Sequence, residues 1–291
     1  MQAHTFETIL VPVDFSEISA HALRTARMLT EHCGHGNLLA MYANWFEAPP
    51  YFTSGRLEEL QKEFRESLAF AEQSLGSFVE STLGPSHGVQ IRAMEALPAE
   101  GITQLAALKR VNLIVMGTHG RSGWNRWMLG SVAERVLRES SAPVLTVRSA
   151  LQEPIRRVLC PVDDTELSRR ALTFAAGIAA CFDASLTVFH VKEASDANPV
   201  KDLCSWVPTE ERARCDIREL VRHGDASEEI VKLATEEPYN LVVLGAPRRR
   251  FFDGMVLGTT TLRTVRHAPC PVLTVGADDA AITPGLSSEK G

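Results

Sequence analysis

Along the first half of the chain, short apolar runs alternate with longer segments whose apolar residues recur every three or four positions. Thr8 to Val13, Leu38 to Ala43, Val89 to Met94, Leu113 to Met116 and Val144 to Val147 are brief and mostly aliphatic, which predicts buried strands. Ser16 to Cys33, Leu57 to Phe78, Pro98 to Lys109 and Ser131 to Glu139 carry the helical period. Strands that are apolar on both faces and alternate with helices predict a parallel sheet covered on both sides and joined by right-handed crossovers. The expected fold class is therefore α/β, a doubly wound domain of five strands.

Much of this pattern occurs twice. Leu241-Val242-Val243-Leu244-Gly245, Leu257-Gly258-Thr259 and Pro271 to Val275 each stand 128 residues beyond a matching segment of the first half. Leu159-Cys160-Pro161-Val162-Asp163 stands 149 residues beyond Leu10-Val11-Pro12-Val13-Asp14, so the second copy is 21 residues shorter. The deficit lies mainly between Ala43 and Leu113. Two copies of this size are two tandem domains, expected at 1–150 and 151–276, with a flexible tail at 277–291.

The chemistry concentrates where one predicted strand ends. Met116-Gly117-Thr118-His119-Gly120 follows the apolar run, and Leu129-Gly130-Ser131 then opens a helix. Glycines there are expected to allow positive φ and bring amides close to an anion, while the helix amino end attracts negative charge. The amides near Gly117, Gly120, Gly130 and Ser131, with the Ser131 hydroxyl, form a candidate phosphate cradle. Ser131-Val132-Ala133-Glu134 also reads as a capping box, a second role compatible with the first. Asp14 ends the first strand, where two readings stay open: contact to ribose, adenine or a divalent cation, and an N-cap for the helix near Ser16. Arg121 and Arg126 could close over a triphosphate or remain solvated charges, and Trp124 and Trp127 read as packing residues. His119 sits in the motif without an obvious nucleophile or orienting partner, so no catalytic residue is assigned.

The spacing Gly117-x2-Gly120-x9-Gly130-Ser131, with Pro12-Val13-Asp14 and Ser16, resembles the ATP-binding members of the universal stress protein family. The resemblance covers nearly the whole chain as a tandem. It implies strand order 3-2-1-4-5 in each domain, with the order reversing between strands one and four, where ligands of open α/β sheets bind. It also implies ATP as the ligand, with or without magnesium or manganese, an adenine slot at Pro12, Val13 and Ala43, and flanking contacts from Met116 and Val132. Each domain's last strand is implied to meet the other's around a pseudo-two-fold axis, through Val144 to Val147 and Val272 to Val275. The second copy departs from the motif at Arg248, inside Ala246-Pro247-Arg248-Arg249-Arg250. A long cation there predicts loss of ATP binding, its charge held by a carboxylate such as Asp253, or capture of a different anion. Val191 is the counterpart of Ala43.

Composition narrows the alternatives. With 45% hydrophobic and 23% charged residues the chain can bury two ordinary cores, and a net charge of −6 offers no general attraction to nucleic acid. No run approaches the roughly 20 apolar residues that span a bilayer, so no membrane partner is expected and the cytoplasm is the expected location. The six cysteines include no Cys-x2-Cys pair, and disulfides are not expected. His32-Cys33-Gly34-His35 reads as a helix end closed by Gly34 or Gly36 rather than as metal ligands. The functional expectation is an adenine-nucleotide-binding, stress-responsive regulator with a regulatory protein partner and room for a homodimer. A slow ATPase or phosphotransfer enzyme using the same cleft, and a scaffold without nucleotide, are the alternatives.

Overall fold

The computed structural model describes residues 6–34, 36–45, 54–85, 88–120, 129–149, 151, 154–192, 202–207, 209–251 and 254–276, with backbone alone at 54–64, 248–251 and 254–255. The first repeat runs β1 (Thr8–Pro12), α1 (Glu17–His32), β2 (Asn37–Asn44), α2 (Ser54–Leu83), β3 (Gln90–Glu95), α3 (Pro98–Leu108), β4 (Leu113–Gly117), α4 (Ser131–Glu139) and β5 (Val144–Val147). The second runs β6 (Arg157–Pro161), α5 (Glu166–Cys181), β7 (Ser185–Lys192), a 3₁₀ turn (Leu203–Trp206), α6 (Thr209–Arg212), β8 (Ile217–His223), α7 (Ala226–Glu236), β9 (Leu241–Gly245), β10 (Arg248–Phe251), β11 (Gly254–Leu257), α8 (Thr259–His267) and β12 (Val272–Val275). Among the described residues no helix is long and apolar enough to cross a membrane.

The helix starts follow local side-chain chemistry. Ser16 caps α1 by accepting from the Ser19 amide at 3.2 Å, and Thr165 caps α5 by accepting from the Ser168 amide at the same distance. Asp225 caps α7, and Pro98 opens α3, where a missing N–H is harmless. At its far end α1 passes through Cys33 to Gly34, whose φ of 116° suits glycine.

Strand order in both repeats is fixed at the amino ends of the strands. The Asn112 amide donates to the Thr8 carbonyl, and its side-chain oxygen accepts from the Thr8 amide, both at 2.9 Å. Asn240 makes the same pair of bonds to Arg157. Each asparagine clamps strand four of its repeat beside strand one. The order is then 3-2-1-4-5 in each repeat, as β3-β2-β1-β4-β5 and β8-β7-β6-β9-β12, with every pairing inside a repeat's five strands parallel. The hairpin β10–β11 stands apart from the main sheet. It had no counterpart in the expected elements, because an arginine run lacks the apolar alternation that marks a strand.

The two half-sheets fuse into one sheet of ten strands through antiparallel β5 and β12. Leu145 lies opposite Leu273, its own counterpart in the repeat, so the pseudo-two-fold axis passes between them. The Thr146 hydroxyl donates to the Val272 carbonyl at 3.1 Å and the Thr274 hydroxyl to the Val144 carbonyl at 3.2 Å, two matched bonds across the axis. Both faces of the sheet are therefore continuous. One core layer holds Ile9, Val11, Val115, Val158, Cys160 and Val243, and the other Leu10, Ile114, Val144, Leu159 and Val242. Side chains alternate between the layers along each strand, which is why the strands read as uninterrupted apolar runs.

Arg148 and Arg266 tie the rest of the junction. Arg148 donates to the Val265 carbonyl in the last turn of α8, where a cation meets unpaired carbonyls. Arg266 reaches Glu134 of α4 at 3.3 Å. Because Leu273 is wholly buried at the axis, Leu273→Ala should destabilise the protein by about 2–5 kcal/mol. Urea unfolding of both forms measures this, and a loss under about 1 kcal/mol would show that the junction is not packed core.

Candidate functional site

The reversal in strand order leaves a gap at the carboxyl ends of β1 and β4, and a cavity of about 450 Å³ opens there. Eleven of the twelve site residues expected from the sequence line it: Pro12, Val13, Asp14, Ala43, Met116, Gly117, His119, Gly120, Gly130, Ser131 and Val132. The twelfth, Arg121, lies outside the described residues, as do Trp124, Arg126, Trp127 and Asp253. Ser16 and Thr118, which stand within the quoted motifs without an assigned role, also line the cavity, as do Ser19, Met41, Tyr42, Pro98, Ile102 and Ala133, which were not expected there. Tyr42 and Thr118 adjoin motif positions, a signal that adjacency alone could have supplied. Pro98 and Ile102 arrive on α3, a contact that only the tertiary fold creates.

Part of the lining is apolar, with Met41, Met116, Ile102, Pro98 and Ala43, and the Val13 amide is already spent on the Met41 carbonyl at 2.8 Å. The rest is polar backbone and side chain, from Asp14, the Gly117–Gly120 segment and the start of α4. A cavity lined in this mixed way suits a ligand with both apolar and anionic parts.

Three local expectations are corrected. None of Gly117, Gly120 and Gly130 has positive φ, so backbone freedom is not what requires glycine there. Space is. A Cβ on Gly117 would stand 2.6 Å from Ile18 Cγ2, and one on Gly130 would stand 3.3 Å from the Thr118 carbonyl oxygen. A Cβ on Gly120 would run into Asp14 Oδ2 across the mouth of the cavity. The capping box at Ser131 does not form either. Gly130 is the N-cap without a side-chain bond, because its amide folds back 2.7 Å to the Thr118 carbonyl and leaves Ser131 as the first helical residue. The first helical bond runs from Glu134 to Gly130, so the amides of Ser131, Val132 and Ala133 have no partner within α4. These amides face a partly apolar cavity as a row of donors with the helix dipole behind them.

Asp14 is not the N-cap of α1. Its Oδ1 accepts from the Ser16 amide at 3.1 Å and the Ser16 hydroxyl at 2.5 Å, bracing the residue that does cap. Between them Phe15 holds a φ of 62°, a conformation a bulky side chain adopts only under constraint. The constraint is aromatic: the Phe15 ring lies 5.0 Å from that of Tyr42 and 5.5 Å, edge-on, from that of Phe78. Packing under the sheet thus fixes where the Asp14 carboxylate stands.

His119 has a partner that the sequence did not reveal, the Thr118 hydroxyl 3.0 Å from its Nδ1. Burial and the nearby Arg148 guanidinium push its pKa below 6.5, and Asp14 opposes them only in part. Arg148 is itself driven down by burial. A neutral imidazole at the rim can donate or accept one hydrogen bond without adding charge.

The matching cleft of the second repeat keeps the frame but carries different side chains. Pro247 takes the place of His119, and its Cγ lies 3.2 Å from where a Gly258 Cβ would be. Thr261 replaces Ala133 and directs its hydroxyl to the Gly245 carbonyl at 3.3 Å. Asp163 accepts from the Ser168 hydroxyl at 2.5 Å and from the Thr165 hydroxyl and amide, whereas Ser19, the counterpart of Ser168, turns back to the Ser16 carbonyl. Arg248 begins β10 and pairs with Leu257, so a strand stands where the first repeat carries Gly120.

Comparison with known proteins agrees with this architecture. The model of the universal stress protein family matches residues 5–148 and again 154–276. A universal stress protein of Mycolicibacterium smegmatis is 27% identical over 94% of this chain and 99% of its own length. One from Methanocaldococcus jannaschii is 32% identical over 51% of this chain and 85% of its own. The crystal structure of a universal stress protein from Archaeoglobus fulgidus superposes with a TM-score of 0.69 at 21% identity, covering 93% of this chain and 98% of that one, a likeness of fold.

Two outcomes follow from the geometry. Gly117→Ala should destabilise the protein by about 1–3 kcal/mol, since Ile18 and the backbone of residue 119 both have to move. Gly120→Ala should change stability by less than about 0.5 kcal/mol, because only the end of the Asp14 side chain is displaced. Thermal unfolding of the pair tests the contrast, and equal losses would refute it. For His119, an NMR titration should give a midpoint below 6.5. With the folded value lowered, the unfolded chain binds the proton first, so this group's contribution to stability declines as pH falls below about 6.5. A midpoint above 6.5 would mean that Asp14 outweighs burial.

Proposed function

The chain belongs to the universal stress protein family, and on that premise we propose that its first repeat binds ATP and that occupancy makes the protein a stress-responsive regulator. The observation that carries this reading is the meeting, in one cavity, of three amides of α4 without a partner in the helix, the glycine segment after β4 and apolar side chains from β2 and α3. The fit can be stated residue by residue. Ala43, Met41, Pro12 and Ile102 offer a flat apolar recess for adenine. Asp14 stands where a ribose hydroxyl, or a magnesium or manganese ion on the phosphates, would need an acceptor. Gly120, Gly130, Ser131 and Val132 leave room and donors for phosphate oxygens.

The second repeat is proposed to bind no ATP, because Thr261 adds a side chain where the first repeat has Ala133 and the strand that begins at Arg248 stands in place of Gly120. Regulation is preferred to catalysis because hydrolysis needs a positioned water and a group that polarises the terminal phosphate. His119, bonded to Thr118 and kept neutral, supplies neither an evident base nor a charge. A regulatory protein partner that distinguishes filled from empty protein, a possible second copy of the chain as a homodimer, and a cytoplasmic location complete the proposal.

Protein purified and denatured should release about one adenine nucleotide per chain, counted by mass spectrometry. Two per chain would overturn the one-site reading, and none after incubation with excess ATP would overturn binding. Gly120→Arg should abolish uptake in calorimetry with the circular dichroism spectrum unchanged; undiminished affinity would remove the cradle from the site.

A further inference from the structure

The two repeats touch again away from the sheet, at the ends of their first helices. The rings of His32 and Phe182 stack with centroids 4.5 Å apart and planes 18° apart. Beside them Cys33 and Cys181 are close enough for each thiol to shift the ionisation of the other. Within the repeat, Cys33 corresponds to Phe182 and His32 to Cys181, so the two contacts are the same contact seen from either side of the pseudo-two-fold axis. Two sulfurs distant in sequence are therefore held together by the register of the repeats.

The environments of the two thiols differ. Cys33 is buried and caps α1, and its neighbour Cys181, together with burial, pushes its pKa far up. Cys181 is only partly buried, and its pKa is lowered by the neighbouring Cys33 thiol and, against the effect of burial, by the Arg214 guanidinium, which also donates to the Ala180 carbonyl at 3.3 Å. Burial raises the others: Cys215 to about 11, Cys270 to about 12, Cys160 further, and Cys204 by a smaller amount. A partly exposed thiol beside a buried one, with a guanidinium at hand, is the arrangement of a peroxide-reactive cysteine and its resolving partner.

We propose that Cys181 and Cys33 form an oxidisable pair, converted by a hydroperoxide into a disulfide that joins the two repeats covalently. In the first step the Cys181 thiolate attacks the distal peroxide oxygen, an S–O bond forms, the O–O bond breaks, and the leaving alkoxide or hydroxide takes up a proton. In the second the Cys33 sulfur attacks that of Cys181, the S–S bond forms, the S–O bond breaks, and hydroxide leaves with the Cys33 proton as water. Two thiols thereby give two electrons to one hydroperoxide, yielding the disulfide, one alcohol or water, and one further water. The absence of a Cys-x2-Cys motif says nothing about this pair, because the fold and not the spacing brings it together.

The test uses the full reduced chain, hydrogen peroxide, quenching with N-ethylmaleimide and non-reducing peptide mapping. The expected result is a dominant Cys33–Cys181 linked peptide, two fewer alkylatable thiols among the six, and reversal by dithiothreitol. Cys33→Ala should leave a sulfenic acid on Cys181 that dimedone traps, and Cys181→Ala should slow oxidation of Cys33 by about tenfold or more. A dominant Cys181–Cys215 link, a link between chains, or six thiols still alkylatable after peroxide would each overturn the proposal. The mapping is done on the unsubstituted protein, so it does not depend on either variant folding.

Discussion

Antiparallel pairing of β5 with β12 is the interaction on which the remainder rests. Taken separately, each repeat would end in a short strand of buried residues with an unpaired backbone edge, a surface that proteins otherwise cover or charge. Joined, the two edges satisfy one another, and Leu145 and Leu273 become the centre of a continuous core instead of the rim of two small ones. The same register lays Arg148 against the end of α8, Arg266 against Glu134, and the ends of α1 and α5 against each other.

Frame and chemistry are separable in this molecule. Asn112 and Asn240 clamp the same strands in both repeats, Ser16 and Thr165 cap the same helix, and Gly117 and Gly245 permit the same close approach of Ile18 and Leu167. Those residues make the crevice. The residues that line it are a different set: Thr261 stands in place of Ala133 with its hydroxyl on the Gly245 carbonyl, and Pro247 stands in place of His119. The lining can change without the fold because the two sets of residues scarcely overlap.

Strands and helices were legible because each strand is buried on both faces and each long helix keeps an amphipathic period; the boundaries of β1, β4, α4 and β5 fall within a residue or so of those expected. Eleven residues of the cavity lining were legible because the motif lies at strand ends and the strand order follows from the family resemblance. What escaped was three-dimensional. The choice of Gly130 over Ser131 as N-cap depends on a bond to the Thr118 carbonyl, and the glycines answer to Ile18 and Asp14, residues remote in sequence. The β10–β11 hairpin carries no apolar alternation, and contacts made by α3 or between Cys33 and Cys181 leave no trace in local spacing.

Strands within each repeat run parallel, yet the repeats meet antiparallel, so the carboxyl ends of the first five strands and of the last five point in opposite directions. The first repeat's cleft and its counterpart in the second consequently occupy opposite poles of one slab. A homodimer of single repeats would present identical poles, whereas this chain has a front and a back. A partner arriving along the sheet can tell which way the molecule is facing.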